Sequence, residues 1–543
     1  MMDQPSLGNR HSQHAFSQVP SVNMARSRFD RSFAIKDTFD FDKLIPIFCD
    51  EILPGDSVNL NVKSFARLAT QVRPVMDNMY IDYFFFFVPN RLVWTNWEKF
   101  NGAQDNPGDS TSFTVPTITI NDGSGFQVGE IYDKFGLPTD VDDITINALP
   151  LRAYNLIWNE WFRDQNLQNS ITVNVDNGPD AATDYSLQKR GKRHDYFTSC
   201  LPWPQKATAV DLPIGTTAPV LGIGRLDQTY PGTSGTVYET DGSATTTYAK
   251  WVATHNATNQ SAIEEDPNNS GYPNVRADLS NATAATINEF RDAILTQSLY
   301  ELDARAGTRY TEILRAHFGV ISPDQRLQRP EYLSGGSSRI TQHPVANTSA
   351  TATEKQGELA AFSTAMVAGG GIGFSKSFVE HGYVIGLAQA RADITYQQGI
   401  ERMWSRSTRF DYFWPKLQQL GEQTVLMKEI YAQGSTVDTD ADGTPNDDEV
   451  FGYQERYAEY RYKPSQIKGE FRSTYATPLD VWHMAEEFSS EPALNSTFIQ
   501  SNTPVDRALA VSGDVHLLFD AWFDYKHARP IMTYGIPATL GRF

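Results

Sequence analysis

Cysteine is almost missing from this chain: Cys49 and Cys200 are the only two among 543 residues. Two thiols cannot build a disulfide framework or a zinc knuckle. They suit a reducing cytoplasm and read as buried small hydrophobes. Long apolar runs are missing too. No stretch reaches the roughly 18 apolar residues that a membrane helix needs, so no membrane insertion is expected. The polar start, MMDQPSLGNRHSQHAF, lacks the apolar core of a secretory signal. Charge is sparse at 20%, and cations are the scarcer sign, giving a net charge of −19. That argues against a basic surface over the whole molecule but leaves room for local basic segments.

Catalytic signatures are absent as well. There is no His-Glu-x-x-His, no Gly-x-Ser-x-Gly elbow and no phosphate-binding Gly-x-x-x-x-Gly-Lys-[Ser/Thr] loop. The nearest Gly-rich piece, AGGGIGFSKS at 368–377, has Phe374 where that loop needs glycine. The 10 His show no metal-ligand spacing, and 65 carboxylates make chance Asp/Glu pairs inevitable. The reading is a structural protein and not an enzyme. A carbohydrate-binding β-sandwich or glycosidase is the alternative, because aromatic-rich β proteins often bind sugars.

What is present points to β structure. The chain is 12% aromatic and carries 37 Gly and 29 Pro, a loop-rich β composition. After the turn Leu53-Pro54-Gly55-Asp56, Val58, Leu60 and Val62 alternate with Ser57, Asn59, Asn61 and Lys63. That period of two predicts a half-buried strand. Met79–Val88, MYIDYFFFFV, predicts a strand buried on both faces. Tyr383–Leu387 and Val515–Phe519 predict further core strands. Their distance in sequence implies non-local pairing, as in a jelly roll or related sandwich. Period-3.6 patterns predict helices at about 284–305, over Tyr310–Phe318 up to Gly319, and at about 151–163.

Four regions follow: an N-terminal arm at 1–50, a first β region at 51–224, an exposed insertion at 225–283, and a last part at 284–543. The insertion is rich in Thr, Gly, Ser and Asn and cannot build a core alone. The last part holds helices, the remaining strands and an extended Pro/Gly-broken tail.

Three segments are candidates for binding. The arm carries Arg26, Arg28 and Arg31 in Ser/Gln/Asn-rich sequence and could face a polyanion. A second basic segment holds Lys189, Arg190, Lys192 and Arg193 before Tyr196 and Phe197. Its cations could neutralise phosphates while the aromatics stack on bases. It could equally be an exposed loop, or pair with a neighbour's carboxylates. The third is acidic. Asp438, Asp440, Asp442, Gly443 and Glu449 follow the D-x-D-x-D-G-x5-E spacing of a calcium loop, with the Thr444 carbonyl as a further ligand. The flanks are not a clear helix pair, and Pro445 offers no N–H, so a solvated hairpin tip is the competing reading.

Several long segments resemble the major capsid proteins of gokushoviruses, in the microvirus family. They include FSQVP at 16–20, FARLAT at 65–70, FFFFVPNR at 84–91 and KRHDYFTSCLPWPQK at 192–206. GTRYTEILRAHFG at 307–319, RADITYQQG at 391–399, RMWSR at 402–406 and YQERYAEYRYKP at 453–464 continue the match. The resemblance implies a single eight-stranded antiparallel jelly roll with long insertions. It implies sixty copies in a T = 1 shell around a circular single-stranded DNA, in a virion assembled in the bacterial cytoplasm. It implies an internal scaffolding protein, a DNA pilot protein and a small basic DNA-binding protein as partners. It also implies three-fold protrusions, placed here at 225–283, that would meet a host receptor. It supplies no catalytic residues and no support for calcium at 435–449.

Overall fold

In a computed structural model the described residues are 26–208, 287–307, 310–319, 328–346, 357–369, 371–439, 442–511 and 513–534. Residues 210 and 348 and short strand segments between 220 and 277 are also described. The chain divides into two compact units, Met1–Pro204 with Thr308–Phe543, and Gln205–Gly307.

The first unit is built on ten antiparallel strands in one curled sheet. In chain order they are β1 (Ser27–Asp30), β2 (Phe33–Phe39), β3 (Ile45–Ile52), β4 (Ser57–Leu68) and β5 (Met79–Pro89), then β6 (Glu331–Ala346), β7 (Leu359–Val367), β8 (Gly373–Ser377), β9 (Gly382–Ala392) and β10 (Leu517–Arg529). Two rows result: β2–β10–β4–β7 and β3–β9–β5–β6. Chain neighbours fall in opposite rows, except β5 and β6, which share one. This is jelly-roll order. β1 extends β2 along the same edge of β10, and β8 extends β7 along β4.

β6 joins the rows. Its first ten residues pair with β5 and its last six with β7. A strand that changes sheets needs a corner. A register shift at Leu333 and the pair Gly335-Gly336 make it. A Cβ on Gly335 would stand 2.4 Å from the Tyr83 carbonyl oxygen, and one on Gly336 2.7 Å from Ile372.

The main core lies between the rows. Leu60, Val62, Phe519 and Phe523 meet Ile81, Tyr83, Phe85 and Val384 there. Phe48 contacts Phe523 and Tyr525 at ring-centroid distances of 5.4 and 5.3 Å. A second core covers the outer face of β5 and β9. Phe86, Val88, Ile385 and Leu387 pack with Leu149, Tyr154 and Ile157 of helix α1 (Leu149–Ile157). This is why both strands are apolar on both sides, as the sequence predicts for β5. β4 and β10 keep strict alternation, and their outer residues Phe65, Leu518 and Trp522 are exposed. A third cluster, around Tyr196, Phe197, Tyr396, Val425 and Phe451, anchors the long connection between β9 and β10.

Other expectations are met or amended. α1 starts earlier than expected, at Leu149 beside Pro150, and widens over Trp158–Phe162, where the Arg163 N–H reaches the Trp158 carbonyl at 2.9 Å. Helix α3 (Tyr310–Phe318) ends at Gly319 with φ +67°, as expected. β10 begins at Leu517, so Val515 stays outside it and 40% exposed. Within the arm that the sequence predicts at 1–50, the structure forms β1, β2 and most of β3, which runs on to Ile52. Cys200 is buried, but Cys49 is exposed, because it falls on the solvent side of β3. The tail beyond residue 534 and the arm before 26 lie outside the described residues.

In the second unit, three short antiparallel pairs nest in sequence: Val220–Leu221 with Arg276–Ala277, Ile223–Gly224 with Ala262–Ile263, and Gly235–Thr236 with Lys250–Trp251. Helix α2 (Ile287–Ala306) follows. Its Phe290, Ile294, Leu295, Leu299 and Leu302 are all exposed. The periodicity located the helix, but its apolar stripe is not buried.

A polar network fastens β1 and β10 to β3. Arg31 makes a two-pronged pair with Asp50, with Nη2–Oδ1 at 3.0 Å, and lies over the Tyr525 ring. The Tyr525 hydroxyl donates to Asp50 at 2.5 Å and sits 2.9 Å from His527 Nδ1. His527 Nε2 lies 2.8 Å from Asp56, which also accepts from Arg529 Nε at 3.1 Å. His527 and Asp56 are fully buried.

Two predictions follow from this packing. Phe85→Ala should cost about 3–5 kcal/mol, through lost burial and a cavity between the rows. Lys63→Ala on the bare face should shift stability by about 0.5 kcal/mol at most. Denaturant midpoints of the two variants test the contrast. The second concerns pH. Burial, then the Arg529 charge, holds the His527 imidazole below its ordinary value. Burial and the Arg507 charge do the same to His483. The unfolded chain therefore takes up these protons first. Their stability contribution is full above pH about 6.5 and is lost as pH falls toward the folded values. The thermal midpoint should fall between about pH 7.5 and 5, and His527→Gln should shrink that fall.

Candidate functional site

The basic segment lies where the third cluster meets the sheet, and much of its charge is used inside the chain. Arg190 Nη1 donates to Asp82 at 3.1 Å and to Gln389 at 3.2 Å, and its guanidinium covers the Phe84 ring at 5.0 Å. Asp82 also accepts from Arg391 at 2.7 Å and Ser337 at 2.7 Å. Burial alone would raise the Asp82 carboxyl, but these donors outweigh it and hold it below the usual range. Lys192 pairs with Glu486 at 2.5 Å over the Phe498 ring, its side chain only 5% exposed. Lys189 donates to Asn502. Arg193 stays 60% exposed, with Asp393 at 3.8 Å. In the arm, Arg31 belongs to the network above. Arg26 donates to Ser57 Oγ at 2.7 Å, and Arg28 is exposed on β1. Pairing with carboxylates, considered from sequence for a neighbouring subunit, occurs within the chain at Arg190 and Lys192.

The acidic loop is closed by its own backbone. Asp438 accepts from the Gly443 N–H at 3.0 Å, and Asp442 from the Thr444 N–H at 2.7 Å. Asn446 is fully buried, and its N–H bonds the Val437 carbonyl at 2.8 Å. Asp447 turns inward to the N–H groups of Gln433 and Gly434. Asp440 lies outside the described residues, and Glu449 leads into the strand Val450–Glu455. Among the described residues, no three His, Cys, Asp or Glu are grouped to hold a metal.

The most distinctive surface was not singled out from sequence as a site. Along 401–416 and 455–472, cations alternate with exposed aromatics around a cleft of about 610 Å³. Trp404 is 75% exposed and Tyr460 52%. Arg406 sits over Tyr460 at 4.4 Å and pairs with Glu459 at 3.0 Å. Arg409 covers Trp414 at 4.4 Å. The cleft floor holds Glu429, which accepts from Arg402 at 2.9 Å and from the Tyr196 hydroxyl at 2.8 Å. Burial pushes the Glu429 carboxyl up, against the pull of Arg402. Short irregular turns carry these residues, so no helical or strand period marks them. The available signal was composition: three arginines, two tryptophans, two phenylalanines and a tyrosine fall within Arg402–Trp414. Such a face of Trp, Tyr and Arg is a protein-contact composition.

Comparison with known proteins agrees with the fold. The family model described as Capsid protein (F protein) matches residues 17–539. Capsid protein VP1 of Bdellovibrio phage phiMH2K is 58% identical, over 99% of this chain and 100% of its own length. Capsid protein VP1 of Chlamydia phage 1 is 43% identical and that of Spiroplasma virus 4 is 35% identical, each over 96% of this chain and 97% of its own length. The glycosidase alternative is set aside, since the family is structural. With the jelly-roll order, the exposed aromatic face and full-length matches in hand, the chain belongs to the phage F capsid-protein family.

Proposed function

We propose that sixty copies of this chain close into a T = 1 icosahedral shell around a circular single-stranded DNA, assembled in the cytoplasm of a bacterial host. The carrying observation is that the roll is complete within one chain while large aromatics stand exposed outside it. Such a subunit is stable alone yet has surfaces to spend on neighbours. Closed symmetry repeats each modest contact around the shell. The insertion at 225–283 is proposed as the three-fold protrusion and host-receptor contact. Its composition suits a surface element.

Genome contact is proposed through the exposed Arg26, Arg28 and Arg193. Lys189, Arg190, Lys192 and Arg31 would have to give up contacts within the chain to contribute. An acidic coat with few spare cations fits a small, very basic partner that neutralises the DNA. A scaffolding protein and a pilot protein complete the proposed partners.

Calcium at Asp438, Asp440, Asp442, Thr444 and Glu449 is proposed on spacing alone, against backbone donors that already occupy Asp438 and Asp442. Calorimetric titration should show binding at millimolar Ca²⁺, and a flat trace ends that part. The shell itself is tested by sedimentation and negative-stain imaging of the chain produced with the phage's other structural proteins. Uniform closed particles are expected, and a chain that stays monomeric at every concentration overturns the reading.

A further inference from the structure

Two surfaces of the first unit carry opposite charge. One is the cationic aromatic face around the 610 Å³ cleft. Over 401–416 and 455–472, nine Lys and Arg stand against five Asp and Glu, in a chain of net charge −19. Lys463 pairs with Glu401 yet stays 72% exposed, and Lys468 is exposed as well. The other is a lobe at 101–143, where eight carboxylates stand against the single Lys134. That lysine is buried against Asp37 at 2.6 Å, so it offers little compensation. Asp105, Asp122, Glu130, Asp140, Asp142 and Asp143 are exposed. Between them Val128 is 74% exposed and Val141 47%. Among the described residues no ion pair joins the lobe to the cationic face. The lobe's own pairs go to Lys99 and Asp37.

We propose that the acidic lobe of one copy docks on the cationic aromatic face of the next. Val128 and Val141 meet Trp404 and Tyr460, and the carboxylates meet Lys463 and Lys468. The contact uses two different patches of one chain, so it is head-to-tail, and head-to-tail contacts close into rings when the rotation allows. This rests on the shell reading above.

The composition of the face favours protein over nucleic acid. Trp, Tyr and Arg are the anchors of protein interfaces. Glu401, Glu429 and Glu459 also line the cleft. A DNA strand carries a charge at every nucleotide and would have to lie against them. A folded lobe can place its carboxylates opposite the cations and its valines opposite the rings.

A charge-swap cycle tests the pairing in the full chain, with the phage's other structural proteins. Lys463→Glu/Lys468→Glu and, separately, Glu130→Lys/Asp142→Lys should each cut particle yield by about tenfold, through like-charge contact. The soluble subunits should keep the parent's circular dichroism and thermal midpoint. If either set disturbs these, Lys463→Gln/Lys468→Gln and Glu130→Gln/Asp142→Asn replace it, with a smaller loss expected. Combining both charge reversals should restore yield to within about twofold of the parent. Single sets that assemble like the parent overturn the proposal. So does loss without restoration in the combination. Normal particles that lack DNA in the Lys463→Glu/Lys468→Glu set would also overturn it and give the face to the genome. A parent chain that forms no particles fails the shell reading instead.

Discussion

The pairing of β10 with β2 and β4 is the constraint on which the first unit depends. It joins the C-terminal strand to residues more than 400 positions earlier, with Leu517 opposite Leu68 and Ala528 opposite Ser57. Without it the row β2–β10–β4–β7 has no centre, and Phe519, Phe523 and Tyr525 leave the core. Closing so long a loop costs entropy before any contact forms. The return is a core two strands deep, fixed by interlocking rings and by the Arg31–Asp50–Tyr525–His527 chain of polar contacts. A one-residue slip of β10 would turn Trp522 inward and Phe523 out, so the register is strongly specified.

The two rows face different surroundings, and their sequences say so. β5 and β9 sit between the main core and the layer led by α1, and both faces are apolar. β4 and β10 have only one covered face, and Phe65, Leu518 and Trp522 remain on the other. A chain of net charge −19 with exposed rings is built to be covered by something. In a family of capsid proteins, copies of the same chain are the cover at hand. The exposed stripe of α2 belongs to the same pattern, because its apolar residues are placed for a helix that packs, yet they stand exposed.

Cations are scarce here, and the structure spends many of them on buried carboxylates. Arg152 meets Asp180 at 2.5 Å, both side chains buried, Arg391 and Arg190 share Asp82, and Arg402 holds Glu429. Buried pairs of this kind add little net stability, since desolvation consumes most of the attraction. Breaking one strands a charge. Their effect is to fix where loops attach to the roll. The basic segment at 189–194 is the clearest case: by sequence it could serve a polyanion, whereas Arg190 and Lys192 fasten it to Asp82 of β5 and to Glu486.

Periodicity and composition by themselves determined the β class, the two-faced strand β5, a core strand at β9, the alternation of β4 and the positions of the three longest helices among the described residues. They did so because burial imposes a period of two or 3.6 on local sequence. Composition also marked 225–283 as unable to build its own core. Jelly-roll order came from resemblance, since strand partners lie hundreds of residues apart and leave no local trace. Only the tertiary structure decided that the segment after residue 26 forms β1, β2 and β3, and that Cys49 faces solvent. Those outcomes depend on which edge β10 offers and which way β3 is turned. The cationic aromatic face also belongs to the tertiary level. Its residues ride on irregular turns from two segments some fifty positions apart, and only the packing around Tyr196, Tyr396 and Glu429 brings them to one cleft.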